Sequence, residues 1–98
     1  MNTRNRVELQ GYVGKFIAMP KQRGDPARFD IMTSERLTTT DGEVIPTHDW
    51  HTIQTSNIQF VKEYVECGAL ISVVGRLTTR KVRSGKIVEI VARELSIV

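Results

Sequence analysis

The residues able to do chemistry in this chain are one Trp, two His, one Cys and a set of clustered Lys and Arg. His48 and His51 stand three positions apart, so on an extended strand they point to opposite faces and cannot chelate together. Cys67 has no second thiol, which removes sulfur-based metal sites and any internal disulfide. There is no phosphate-cradling glycine motif, nucleophile elbow or cysteine–histidine signature. Neither catalysis nor a bound metal or cofactor is expected. Charge and one ring remain. Residues 1–28 hold six basic and two acidic side chains, and residues 29–66 hold two basic and seven acidic. Residues 76–86 then carry five basic side chains, Arg76, Arg80, Lys81, Arg83 and Lys86, and no acid. Basic ends around an acidic middle point to a polyanionic partner. Trp50 shares a strand face with Thr52 and Gln54, and such polar neighbours leave the face open to solvent or ligand.

The elements that must position these groups follow from periodicity. Arg6–Val13 alternates polar with apolar, the pattern of a half-buried strand, and Gly11 and Gly14 mark a bulge or a close backbone approach. Pro20, Gly24, Asp25 and Pro26 mark a loop. A second strand is expected from Arg28 to about Leu37, with Phe29, Ile31 and Thr33 on one face. Thr38–Thr47 contains Asp41-Gly42, a hairpin-turn signal, and a third strand is read over Asp49–Thr55. Ile58, Val61, Tyr64 and Val65 then fall at helical spacing, with Ser56 and Gln59 as a capping box and Gly68 as the terminator. Ala69–Arg80 and Lys86–Val98 form two long strands around Ser84-Gly85. Three strands, a short helix and two strands give an all-β chain, a five-stranded OB-fold Greek-key barrel with one helix between its third and fourth strands.

The chain has 98 residues and is 40% hydrophobic, which fits one domain over 1–98 with a single small core. No apolar run approaches the ~20 residues that cross a bilayer, and no membrane partner is expected. The start lacks the apolar core of a secretory signal, and the lone cysteine fits a reducing cytoplasm. In the fourth strand Leu70 and Val74 share a face opposite Ile71 and Val73. A barrel strand needs only one apolar face, so the second points to a subunit contact.

Several short stretches resemble bacterial single-stranded DNA-binding proteins, in order and over nearly all of residues 5–98. They are Asn5-Arg6-Val7-Glu8-Leu9-Gln10-Gly11, Thr33-Ser34-Glu35-Arg36, His48-Asp49-Trp50-His51, Glu63-Tyr64-Val65-Glu66-Cys67-Gly68 and Val74-Gly75-Arg76-Leu77-Thr78-Thr79-Arg80-Lys81. The resemblance implies sequence-independent binding of single-stranded DNA in replication, recombination or repair, with Lys and Arg along the phosphates and rings stacked on bases. It makes Trp50 the stacking ring, with Tyr12 a further candidate, and Lys15, Arg28, Arg36, Arg76, Arg80, Lys81, Arg83 and Lys86 the phosphate contacts. It makes Leu70, Ser72, Val74 and His51 the groups for packing or self-association, as a homodimer or homotetramer, and implies a cytoplasmic, nucleoid-associated protein.

The chain also departs from that family. Leu37, Ser56 and Val82 stand where the family usually carries aromatics, so three stacking platforms are missing and charge is expected to carry more of the affinity. The sequence stops at Val98, after the last strand, where the family's common form continues into a linker and an acidic tip. That is the expectation for a minimal DNA-binding core. A dimeric relative similar to primosomal replication protein N, working with replication or primosome proteins, is the alternative. An OB-fold adaptor for RNA or protein is another.

Overall fold

The computed structural model describes residues 2–98. Five strands and one helix follow in the order β1 (Val7–Ala18), β2 (Ala27–Thr38), β3 (Val44–Thr55), α1 (Ile58–Tyr64), β4 (Leu70–Val82) and β5 (Gly85–Ile97). They close into a barrel with neighbours β1-β2-β3-β5-β4. Closure comes from a short parallel pairing of Ile53 with Ile90 and Gln54 with Val91, while the other ladders are antiparallel. This is the OB-fold arrangement.

Alternation explains the inside. Phe29, Ile31, Ile53, Ile71, Val73 and Ile90 sit at inward positions of their strands and are fully or almost fully buried. Each contributes about 1.5–3 kcal/mol by leaving water. The exposed Arg6–Glu8 ion pair belongs to a class measured at about 0–1 kcal/mol, so the apolar interior, and not surface charge, holds the barrel.

The strands run further than alternation alone predicts. β1 continues to Ala18 rather than stopping at Val13, across a register shift between Val13 and Ile17, so the close approach expected near Gly14 is present as a bulge. β3 begins at Val44 instead of Asp49, because residues 44–48 pair with the far half of β2 in a hairpin that leaves the barrel. The turn itself is confined to Thr39–Glu43, closed by the Thr39 N–H donating to the Glu43 carbonyl and the Gly42 N–H donating to the Thr39 carbonyl, with Gly42 in the left-handed region at φ 82°.

The helix start differs from the expected capping box. Asn57, not Ser56, is the cap, and its side chain accepts a hydrogen bond from the Phe60 N–H at 3.1 Å. Gln59 instead donates to Glu63 one turn on. Asn at this position satisfies the free N–H directly, which leaves the Ser56 side chain no capping role. The helix ends at Val65 in extended geometry, and Gly68 lies three residues later in a turn, at φ 93°, where its N–H donates to the Val13 carbonyl. No helix among the described residues is long and apolar enough to cross a membrane.

Candidate nucleic-acid interface

Trp50 pairs with Met32 across the β2–β3 ladder, Arg28 pairs with Gln54, and Arg36 pairs with Pro46. Residues directly opposite share a face, so Arg28, Asp30, Met32, Ser34 and Arg36 line the outer side of β2 with Trp50 beside the central one. At about 3.3 Å per residue the two arginines stand roughly 26 Å apart along the strand. A cation therefore marks each end of a track whose middle is a ring.

Trp50 is 59% exposed, yet it is not loose. A Cβ placed on Gly14 would come within 2.5 Å of Cζ3 of the indole, so the absence of a side chain at Gly14 is what lets the ring rest against β1. Tyr12, Phe16, Met32 and Cys67 join Trp50 around an open, mostly apolar groove of about 530 Å³, which Lys15 and Asp30 also line. Tyr12 and Phe16 are both exposed. From sequence, Tyr12 was a stacking candidate on the polar face of the first strand, whereas Phe16 and Met32 were not singled out. Phe16 continues the alternation of the first strand, a signal lost by ending that strand at Val13.

The remaining basic residues lie on the β4–β5 hairpin. Arg80 and Lys81 are consecutive in an extended strand, so they point to opposite faces of the ribbon. Lys81 faces Lys86 across the ladder, Arg83 occupies the tip, and all three are exposed. Arg76 is exposed further down the same strand.

Arg80 is not a free cation. Its Nε donates to Oε1 of Glu89 at 3.0 Å, while Nε of Arg28 donates to Oε2 at 2.8 Å. Gln54 also donates to Oε1, at 3.4 Å. The Glu89 side chain has no exposed surface. Burial alone pushes its carboxyl pKa up; the hydrogen bonds and charges of Arg28 and Arg80 outweigh this and hold it below the ordinary value. Glu89 was not singled out from sequence. Its one signal is an acid inside Ile87-Val88-Glu89-Ile90-Val91, where an unpaired charge has no place.

Leu70, Ser72 and Val74 do share the outer face of β4, next to Tyr12, Gln10 and Glu8 of β1. Val74 stands between Glu8 and Glu94. His51 is elsewhere: it lies beside Trp50, Leu77 and Val88, with Nε2 2.8 Å from the Thr33 hydroxyl. The structure therefore separates His51 from the other three. Of the family's aromatic positions, Leu37 and Ser56 are exposed and Val82 is half-buried.

The sequence pattern described as the single-strand binding protein family matches residues 4–98. The chain belongs to the single-strand binding protein family. Comparison with curated protein sequences gives no match. Among solved structures, a single-stranded DNA-binding protein of Plasmodium falciparum in complex with single-stranded DNA is 25% identical, with a TM-score of 0.87, covering 100% of this chain and 97% of that one. The small single-stranded DNA-binding protein of Streptomyces coelicolor is 17% identical, with a TM-score of 0.75, covering 98% and 95%. The single-stranded DNA-binding protein of Thermus aquaticus is 20% identical, with a TM-score of 0.78, over 97% of this chain but 50% of that one. The last two likenesses concern the fold.

Proposed function

We propose that residues 1–98 form one domain that binds single-stranded DNA without reading its sequence, stacking bases on Trp50 and holding phosphates with Lys15, Arg28, Arg36, Arg76, Arg80, Lys81, Arg83 and Lys86. Family membership and the likeness to a relative solved with single-stranded DNA support this reading. One observation carries it: an exposed Trp50 braced on Gly14, midway between Arg28 and Arg36 on one outer face. Every base has a π face, so stacking tolerates any sequence. Replication, recombination or repair in the cytoplasm, on nucleoid DNA and beside replication or primosome proteins, is the setting that fits.

Oligo-dT is expected to quench the fluorescence of the single Trp. Four to six phosphate contacts on a single strand give a slope of log K against log salt of about −3 to −4. An unquenched Trp with preference for duplex DNA overturns the reading.

The same proposal includes self-association through Leu70, Ser72 and Val74. Val74→Glu sets a third carboxylate between Glu8 and Glu94 and is harmless on a wet monomer face but costly inside an interface. Dissociation at micromolar concentration with an intact fold is the expected result, and unchanged sedimentation rejects this face.

A further inference from the structure

Glu89 is a buried acid in a protein expected to bind a polyanion, and the DNA-binding reading gives it no task. Its two arginine partners come from opposite sides of the barrel closure, Arg28 from β2 and Arg80 from β4. Both use Nε for Glu89, and among the described residues their Nη groups make no hydrogen bond to protein. The Arg28 side chain is 26% exposed and that of Arg80 45%, while Glu89 is sealed beneath them. Each guanidinium is thus oriented by the carboxylate and has its outer donors unused. The formal charge of the group is two positive and one negative, a net of one positive.

We propose that Arg28, Arg80 and Glu89 act as one clamp for a single backbone phosphodiester, with Glu89 orienting both guanidiniums and limiting the cluster to one net charge. The inference rests on the single-stranded DNA reading above and deepens it. A phosphodiester carries one negative charge and accepts the planar fork of an arginine in a bidentate geometry. Two unpaired arginines reaching the same spot from β2 and β4 would repel each other and take up many rotamers, so free orientation would be lost on every binding event. The buried carboxylate removes both penalties before DNA arrives. Lys81 and Arg83 have no ion-pair partner among the described residues, and each counts as a full contact.

The salt dependence of oligo-dT binding distinguishes one clamp from two independent contacts. Each phosphate contact contributes about 0.7 to the slope. Arg28→Gln or Arg80→Gln leaves a neutral pair and should flatten the slope by about 0.7. The triple variant Arg28→Gln, Arg80→Gln, Glu89→Gln should also flatten it by only about 0.7, since it too removes one net charge. Glu89→Gln alone leaves two cations and should steepen the slope by about 0.7. Flattening near 1.4 in the triple variant, which is two independent contacts, overturns the proposal. So does an unaltered or flattened slope in Glu89→Gln, which also decides the matter if the triple variant does not fold. An unchanged slope in the triple variant, with Trp50 still quenched, rejects the clamp and leaves the DNA-binding reading standing. A parent chain that does not bind oligo-dT rejects both.

Discussion

In the proposed reading, the outer face of β1–β3 and the β4–β5 hairpin meet the same polymer by opposite means. The first presents Trp50, Tyr12, Phe16 and Met32 in one groove and keeps its cations to the margins. The second presents Arg80, Lys81, Arg83 and Lys86 without a ring. Stacking acts only at contact, so its ring must be held, and Gly14 provides the seat. Attraction to phosphate acts over a Debye length of about 8–10 Å, so exposed side chains need no seat of this kind. The barrel supplies rigidity to the groove; the hairpin needs only reach. Glu89 joins the two regions through one arginine from each.

Breaking that joint should have the largest effect on the molecule. Arg28→Ala combined with Arg80→Ala strands a fully buried carboxylate, a change that typically costs about 3–5 kcal/mol. Urea melts at pH 7 should show it as a lower midpoint, whereas Lys81→Ala should stay within about 0.5 kcal/mol of the parent. The same group sets a pH dependence. Because the folded pKa of Glu89 lies below its unfolded value, its stabilisation is fully present above the ordinary carboxylate range and fades as pH falls through the folded value. The parent should lose stability on acidification more steeply than Glu89→Gln. Parallel acid limbs would mean that Glu89 does not hold the two arginines.

A smaller effect separates ring from charge. Trp50→Ala removes one stacking platform and should weaken oligo-dT binding by about 1–3 kcal/mol with the salt slope unchanged. Lys81→Ala with Arg83→Ala should instead flatten the slope by about 1.4. A stable Trp50→Ala that binds like the parent at every salt concentration makes the ring structural and the groove electrostatic.

The legibility of these two regions in the sequence was uneven, for physical reasons. The order of strands and helix was readable because inward positions such as Phe29, Ile31 and Ile53 must alternate with outward ones. Trp50 was readable as an open ring from Thr52 and Gln54 on its face. Strand ends were not, since β1 beyond Val13 passes through a bulge and the first residues of β3 pair in a hairpin outside the barrel. The β3 extension is a long-range pairing with no local signal, and in β1 the bulge interrupts a pattern that Phe16 carries on. Arg28 and Arg80 both looked like free cations, and their shared carboxylate lies 61 residues from one and nine from the other. Charge counts along a chain cannot see such a pairing. The cap moved by one residue, from Ser56 to Asn57, because both types favour that position.

The smallest predicted effect tests the seat of the ring itself. Gly14 has no positive φ, so alanine meets no backbone strain there. Its added Cβ would fall 2.5 Å from Trp50 Cζ3, closer than real contacts allow, and the exposed ring is the part free to move. Replacing Gly by Ala also lowers the entropy of the unfolded chain, worth about 0.4–1 kcal/mol to the folded state. Stability and binding should therefore part company in Gly14→Ala. Melting should hold or rise slightly, while oligo-dT binding should weaken by a fraction of the ~1–3 kcal/mol assigned to the whole ring. The salt slope should not change, because no charge is touched. Trp emission of the free protein should shift as the indole leaves β1. Unchanged emission together with parental affinity would show that Gly14 does not brace Trp50, and the contrast between a held ring and exposed hairpin cations would lose its structural basis.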